Sequence, residues 1–416
     1  MTNFKKQIFS VLAAGSLLVS VATPALADTT ITISGNGAGS TNFNTVNQTN
    51  TNTVTQNNDA HVTNNVTSNA STGGNDADFN TGGNVQVSTG NATTTANVTN
   101  ALNSNAAQVA GCNCAGDTNV TVSGNGANSN NTVTLGSTNA NTVKQDNNAS
   151  VTNNVDNNAK TGYNDANGNT GGNVQVTTGN ATANSTVRTV ANSNAASIGG
   201  GLGAGNSSAS FVITGNGAGS KNWINAGLTN INTIDQDNSA HITNDVDSDA
   251  KTGGNDAGFN TGGNVEIHSG NAMSGATVDN MVNFNQASLD CGCVTDVLAK
   301  INGNGAGVNE SGSVNTIALG LTNVNTIGQD NGDCLYNDVD ANAKTGYNDA
   351  NANTGSVMGS DPSVTTGNAT NTTGVSNSGN VNNVGGTPFV IPMPGNTNMS
   401  FSFSIQALMA FFGMHA

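Results

Sequence analysis

The sequence has few of the residues that build globular cores. Of 416 residues, 8% are charged and 4% are aromatic, and large aliphatic side chains are sparse. Such a chain cannot fill an ordinary globular core. It also lacks the composition of a typical disordered segment, which is rich in proline and charge, because it has 5 prolines and few charges. It is rich in glycine, with 53 residues, and about a fifth of it is asparagine. A regular arrangement must therefore satisfy many amides.

Basic residues are also scarce. Lysine and arginine together number 9 against 25 acidic residues, and Arg188 is the one arginine. The two lysines nearest the N-terminus precede an apolar run at residues 8–22 and a Pro-Ala-Leu-Ala stretch at 24–27. This pattern predicts a bacterial-type signal peptide over residues 1–27, a mature chain that begins near Asp28, and a secreted, extracellular or cell-surface location. The acidic balance makes nucleic acids unsuitable partners.

The chain repeats itself with a period of about 90 residues. A Gly-Asn-Gly triplet recurs at positions 35, 124, 215 and 303, and further landmarks keep the same order in each copy. The predicted organisation is repeat 1 over 28–115, repeat 2 over 116–205, repeat 3 over 206–298, repeat 4 over 299–385, and an apolar C-terminal cap or anchor over 386–416. Any membrane contact is expected through this tail alone.

Short alternating segments between glycines predict strands with one buried face, as in residues 84–87 and their copies. In the fourth copy, residues 358–362 interrupt this strand and leave Val364 in register, so a bulge or loop is expected there. Val62, Val66 and Ala70 recur every four residues, which we interpret as tight strand-corner-strand geometry because the intervening residues are weak helix formers. The predicted fold is an all-β solenoid, similar to a parallel β-helix, with about four rungs and about 19 Å per repeat.

Residues 53–62 and their copies carry a Gln-x-Asn-x-Ala rhythm that resembles the repeats of curli-type amyloid subunits. That family forms secreted β-solenoids that polymerise into adhesive biofilm fibres. The resemblance implies that glutamine and asparagine at matching positions form ladders between rungs. These ladder candidates are Gln56, Asn58, Gln145, Asn147, Gln236, Asn238, Gln329 and Asn331. More broadly, the chain resembles bacterial Asn/Thr/Gly-rich surface repeat proteins, adhesins included.

One aspartate per repeat follows a Thr-Gly-x-Asn stretch, and the four are Asp76, Asp165, Asp256 and Asp349. The oxygen-rich surroundings are similar to the start of a calcium loop, but the bidentate glutamate is missing, so a structural corner and a calcium site both remain open. Three copies place a lysine five residues earlier, a candidate counter-ion. At about 19 Å spacing these carboxylates could not form a catalytic pair.

Each copy also has one aromatic ring near this aspartate, at one of two positions, with Phe79 in copy one and Tyr163 in copy two. Copies one and three share one pattern, and copies two and four share the other. The hypothesis is that both positions border a single pocket. His61 and His241 stand at matching places in copies one and three, where outward strand positions are expected.

The cysteines follow the same alternation. Cys112 and Cys114 close copy one, Cys291 and Cys293 close copy three, and Cys334 is left over. A local bridge within each pair, a link between chains and a metal site all stay open; a bridge between the two pairs is not expected at two repeats' distance. The unpaired Cys334 makes covalent assembly a further possibility.

The sequence contains no set of residues for catalysis, neither a nucleophile-base-acid set nor a phosphate loop with its lysine, and no cofactor is expected unless calcium binds. The predicted function is a non-enzymatic extracellular structural protein, an adhesin or a fibre or matrix subunit that self-associates or binds a surface polysaccharide. The alternatives are calcium or ice binding, the latter suggested by the threonine-rich residues 93–99, and, less favoured, a polysaccharide-processing β-helix enzyme.

Overall fold

The chain folds into a stack of four β-layers. The computed structural model describes residues 5–22, 29–110, 117–199, 208–290, 296–306, 312–355, 362–385, 389–391 and 399–401. Within these residues every regular element is a strand, and none of them forms a helix that could span a membrane. The predicted all-β solenoid is confirmed.

Each repeat forms one layer that contains two long and two short strands. An N-terminal strand, β1 (Lys5–Ala22), precedes them. Layer 1 contains β2 (Thr29–Ser34), β3 (Thr41–Gly73), β4 (Val85–Ser88) and β5 (Ala92–Ala110). Layer 2 contains β6 (Thr118–Ser123), β7 (Asn130–Gly162), β8 (Val174–Thr177) and β9 (Ala181–Gly199). Layer 3 contains β10 (Ser208–Thr214), β11 (Lys221–Gly253), β12 (Val265–His268) and β13 (Ala272–Asp290). Layer 4 contains β14 (Asp296–Asn302), β15 (Val314–Lys344), β16 (Ser363–Thr365) and β17 (Ala369–Val384).

Equivalent strands of successive layers pair in parallel and in register. Along the long sheet, Thr53 pairs with Thr142, Thr142 with Thr233, and Thr233 with Thr326. Because neighbouring strands lie about 4.8 Å apart, one repeat advances the stack by about 4.8 Å. The prediction of four rungs and about 19 Å per repeat was therefore wrong. It assumed short rungs of about 20 to 25 residues, whereas β3 alone runs for 33 residues.

Within a layer, the long strands face each other. The first part of β3 packs on β2, where Val46 lies against Ile31 and Ile33. The remainder packs on β5, which runs in the opposite direction, since Val54 clusters with Val109 and Ala70 with Ala92. The core is thus a series of small apolar clusters, six of which contain residues of all four layers.

Polar residues separate these clusters along the same inward faces. Val62, Val66 and Ala70 lie on the inner face of β3, and the inward positions between them are Asn64 and Ser68. The spacing of four residues is therefore a strand period of two in which every second inward side chain is polar. The corner predicted between these residues was wrong.

The short strands follow the expected pattern. In β4, Val85 and Val87 are buried, and they cluster with their counterparts in the next layers. In layer 4 the corresponding strand keeps only three residues, and Val364 pairs with Ile267 as predicted. The interruption itself lies mostly at residues 356–361, outside the described residues.

The two ends of the stack differ. At the layer 1 end, β1 pairs in parallel with β5, from Lys5 opposite Thr93 to Ala22 opposite Ala110. Among the described strands, β2, β3 and β4 pair with layer 2 alone, and at the other end β14–β17 pair with layer 3 alone. The assignment of residues 1–27 to a cleaved leader stays a prediction. Its removal would leave β5 as an edge strand.

The C-terminal tail contributes a separate hairpin. Strands β18 (Phe389–Ile391) and β19 (Met399–Phe401) pair antiparallel with each other. Within the described residues, neither joins the sheets of the layers. The remaining residues of 386–416 lie outside the described part of the chain, so a cap or anchor there stays a prediction.

Candidate functional site

A column of four glutamines runs through the core. Gln145 donates to the Gln56 Oε1 atom at 2.6 Å, Gln236 to Gln145 at 2.8 Å, and Gln329 to Gln236 at 2.7 Å. The same Gln145 Nε2 atom also donates to the carbonyl oxygen of Ala195 on the facing strand at 3.0 Å. Each buried amide thus connects two layers and two strands, which removes the penalty of burying it unpaired.

The asparagines two residues later form a double column. Asn58 donates to Asn147 at 3.1 Å, Asn147 to Asn238 at 3.1 Å, and Asn238 to Asn331 at 3.0 Å. A second column on the facing strands interlocks with it, since Asn147 donates to Asn194 at 2.7 Å and Asn194 donates to Asn238 at 2.9 Å. The structure therefore brings together all eight residues that the resemblance pointed to as ladders.

Further amide columns were missed by the sequence reasoning. Each contains asparagine at one aligned position in all four repeats, and this recurrence is the signal that could have found them. Among them are Asn42–Asn131–Asn222–Asn315, Asn50–Asn139–Asn230–Asn323, Asn52–Asn141–Asn232–Asn325 and Asn103–Asn192–Asn283–Asn380. At about 0.5–1.5 kcal/mol net for each hydrogen bond, the columns are a main source of cohesion between layers.

The asparagine columns have a direction. In the column of Asn52, every amide donates to the next layer, at 2.8 Å to Asn141, then 2.9 Å to Asn232 and 2.9 Å to Asn325. Within the described residues, the Asn52 Oδ1 atom accepts from no donor, and the Asn325 Nδ2 atom donates to no acceptor. The columns from Asn42 to Asn315 and from Asn50 to Asn323 have the same direction, with an amide oxygen left over in layer 1 and an amide nitrogen left over in layer 4 of the described chain. In these asparagine columns layer 1 therefore presents amide acceptors and layer 4 presents amide donors. The glutamine column has the opposite direction, because each amide donates to the preceding layer.

The backbone of the long sheet is open at both ends. Strand β3 has 33 residues and β15 has 31, and each has a described partner on one side only. Long exposed edges of this kind are templates for pairing with another strand. The ends of the stack, defined as the outer faces of layers 1 and 4, are therefore the candidate functional site.

The four predicted calcium aspartates also form a column. Bridges join Asp76 to Asp165, Asp165 to Asp256, and Asp256 to Asp349. They lie one layer apart, so the expected 19 Å separation was wrong for the same reason as the rung count. Burial raises the pKa of Asp165, and the neighbouring carboxylates of Asp256, Asp78 and Asp76 raise it further. Among the described residues, no group of three or more His, Cys, Asp or Glu side chains could hold a metal ion.

One of the lysines predicted as counter-ions, Lys251, pairs with a different aspartate. Lys251 pairs with Asp249 at 2.8 Å, on its own strand rather than at the Asp256 corner. Arg188 lies 3.7 Å from Asp279 in the next layer. These ion pairs are partly exposed, so each contributes little to stability.

The aromatic rings at the same corner form two columns, and all four rings are exposed. Phe79 and Tyr163 are 80% and 57% exposed, and both have positive φ angles, 57° and 56°. Each ring covers the glycine of the next layer in its own column. A Cβ atom on Gly168 would lie 2.8 Å from the Phe79 ring, and one on Gly254 would lie 3.1 Å from the Tyr163 ring. Glycine at these two positions therefore leaves room for the ring of the preceding layer, and Ala352 takes the equivalent position after Phe259 in layer 4.

The outer face of the long sheet carries columns of aspartate in layers 2–4. Burial raises the pKa of Asp237, and Asp235 and Asp146 raise it further, although Lys144 opposes them. Burial raises the pKa of Asp247 in the same way, with contributions from neighbouring aspartates that include Asp249 and Asp340. Like charges stacked one layer apart destabilise a sheet.

These shifts predict that mild acid stabilises the stack. A carboxyl group whose pKa is higher in the folded state favours folding when protonated, so stability rises as the pH falls from 7 towards the ordinary aspartate value of 3.8. Asp117 acts in the opposite direction, because hydrogen bonds from Ser208 lower its pKa. The measurement is the melting temperature by circular dichroism between pH 7 and pH 4. A steady fall in melting temperature over that range would contradict the expectation.

The cysteine predictions fall largely outside the described residues, which exclude Cys112, Cys114, Cys291 and Cys293. The strands that precede the two pairs, β5 and β13, lie two layers apart in one sheet. Two layers correspond to about 10 Å, whereas the sequence interpretation assigned about 19 Å to each of the two repeats. Cys334 is free and exposed.

The predicted outward histidines lie in the column of Cys334. His61 and His241 are both exposed, and the order in the column is His61, Ser150, His241 and Cys334.

Comparison of the chain with models of known families, with curated proteins and with solved structures gives no match.

Proposed function

We propose that the mature protein is a non-enzymatic extracellular fibre subunit that assembles end to end with copies of itself. The observation that carries the proposal is the pair of complementary ends. Layer 4 presents amide donors in the columns whose acceptors layer 1 presents. Stacking layer 4 of one copy on layer 1 of another would extend every column and pair two long edge strands.

Charge supports this order of stacking. Strand β15 carries several acidic residues, including Asp330, Asp338 and Asp340. The residues at the same register positions in β3 are Asn57, Asn65 and Thr67. A layer 4 to layer 1 junction therefore sets aspartates opposite neutral side chains, whereas a layer 4 to layer 4 junction would set like charges together.

The alternative functions have less support. The outward column that starts at Thr93 continues with Thr182 and Met273. The column that starts at Thr95 continues with Asn184 and Gly275. These columns build no regular threonine lattice of the kind that ice binding would use. Arg188 has one acidic contact, Asp279, rather than an acidic cluster for catalysis. An adhesin that stays a single rod is the second candidate, and assembly separates it from a fibre subunit.

The test is electron microscopy of a chain that begins at Asp28, at several concentrations and with sonicated filaments as seeds. We expect unbranched filaments whose growth is accelerated by seeds. The full chain with β1 retained should elongate poorly, because β1 occupies the edge of β5 where β17 of another copy would pair. Uniform short rods at every concentration would overturn the fibre and favour the adhesin.

Layer 4 carries one feature that opposes stacking. Asp333 stands at the inward position that Ala60, Ala149 and Ala240 occupy in the other layers. Its Oδ1 atom accepts a hydrogen bond from Asn380 at 2.9 Å. A copy placed on layer 4 would bury this carboxylate against alanine, which costs free energy unless the charge is paired. Inward charges of this kind protect sheet edges.

Replacing Asp333 with alanine should therefore accelerate filament growth by about tenfold or more, because at least about 1.4 kcal/mol of desolvation is removed from the junction. The measurement is the seeded elongation rate. The matched control is Asp338→Ala, which removes a charge from an exposed outward position on the same strand. Equal rates for the two variants would show that Asp333 does not restrain assembly.

A further inference from the structure

Several glycines of layer 1 occupy positions where nothing in the described chain requires glycine. Gly37 and Gly90 do not have φ angles in the left-handed region, and a Cβ atom on either would meet nothing within 4 Å. Any small side chain would fit at both positions. Alanine would also reduce the conformational entropy of the unfolded chain, which usually stabilises a protein.

The glycines at the equivalent positions of layers 2–4 show why glycine is used there. A Cβ atom on Gly126 would lie 2.4 Å from the Ala38 nitrogen of layer 1, and one on Gly179 would lie 2.4 Å from the Gly90 carbonyl oxygen. The same close approach recurs at Gly217 and Gly270, and again at Gly305 and Gly367 in layer 4. In each case the missing side chain points back to the preceding layer, so glycine is needed wherever a layer lies behind.

The ring columns give an independent indication at the opposite end. Tyr163 covers Gly254, but Tyr347, in the same column two layers later, is 86% exposed in the terminal layer. At the layer 1 end this column begins with Gly74, whose Cβ would meet nothing within 4 Å. When layer 1 of a second copy lies on layer 4, this column therefore continues its alternation of ring and glycine. A junction of two layer 4 faces would instead set Tyr347 of one copy against Tyr347 of the other.

We propose that layer 1 is built to receive layer 4 of a second copy of this chain in register, with Gly37 and Gly90 against its backbone and Gly74 beneath Tyr347. This inference rests on the proposed fibre function and specifies its junction. The amide columns select the same polarity, because a junction of two layer 1 faces would bring acceptors together at Asn42 and Asn52. The partner is thus another copy of the chain, and the register has no shift.

The first test is the double variant Gly37→Ala and Gly90→Ala in the chain that begins at Asp28. We expect the parent's circular dichroism spectrum, a melting temperature equal to or slightly above the parent's, and a fall of at least tenfold in seeded elongation. The matched control is Gly227→Ala in layer 3, where a Cβ would also meet nothing within 4 Å, and it should elongate like the parent. Elongation of the double variant at the parent's rate would mean that the two glycines serve no junction.

The second test reads the register directly. The in-register junction places His61 of one copy one layer from Cys334 of the next, at a Cα distance of about 4.8 Å, which is within disulfide range. Oxidised filaments of His61→Cys should yield a linked peptide pair containing residues 61 and 334, and those of Ser150→Cys, which lies one layer further away, should not. If His61→Cys forms filaments that contain no 61–334 link after oxidation, this junction is overturned and the fibre function still stands. If the parent forms no filaments, the fibre function itself fails.

Discussion

Replacing Gly162 with alanine is expected to prevent the stack from folding. Gly162 has a φ angle of 108°, and a Cβ atom there would lie 2.0 Å from the Gly253 carbonyl oxygen of the next layer. Neither the backbone conformation nor the layer spacing can accommodate a side chain. Because the register of all four layers fixes this spacing, we expect a loss of more than about 4 kcal/mol.

The measurement is the far-ultraviolet circular dichroism spectrum of the purified variant, together with its resistance to proteolysis. Gly227→Ala is again the control, since this glycine is also in a long strand and an added Cβ meets nothing within 4 Å. A Gly162→Ala chain with the parent's spectrum and melting temperature would show that the layers can separate locally at little cost. It would also weaken the argument that glycine columns record the presence of a neighbouring layer.

The sequence was sufficient to predict the fold class, because its signals are local and repeated. Alternation in residues such as Val85 and Val87 marked the short strands. The size of the layer was not predictable in the same way. Inward polar residues such as Asn64 look like solvent-facing or corner residues until their partners are known. Asn64 donates to Asn100 on the facing strand and to Asn153 of the next layer, 89 positions away.

Only part of the candidate site could be predicted from the sequence. Gln56 and Asn58 could be selected from the sequence because they belong to a recognisable rhythm, and the structure joins each to its counterpart in the next layer. Asn52 and Asn103 belong to no such rhythm and were missed. The donor and acceptor character of the two ends could not be predicted at all. It arises only because every asparagine in a column donates to the same neighbouring layer.

That directionality links the core to the proposed function. An apolar core ends at a terminal layer without indicating what should follow it, whereas a column of amides ends with a donor at one side and an acceptor at the other. Asn42 and Asn315 are the two ends of one such column. The interactions that hold the layers together are therefore the same in kind as those available for adding another copy.

Substituting leucine for Gln145 tests whether the amide columns, rather than the apolar clusters, hold the layers together. The Gln145 side chain is fully buried, and the substitution removes its bonds to Gln56, Ala195 and Gln236. Each buried partner left unsatisfied costs about 1–3 kcal/mol, so we expect a loss of about 3 kcal/mol or more despite the greater hydrophobicity of leucine. The free energy of unfolding in guanidinium chloride measures it.

The matched control is Gln175→Leu in the same layer. Gln175 also links three layers, since it accepts from Gln86 at 3.1 Å and donates to the Glu266 carboxylate at 3.4 Å, but these contacts lie on the outer face, where the first is exposed and the second is partly buried. Water can replace its hydrogen bonds, so the loss should stay within about 0.5 kcal/mol. Equal effects of the two substitutions, or a Gln145→Leu variant as stable as the parent, would mean that apolar contacts alone keep the layers in register.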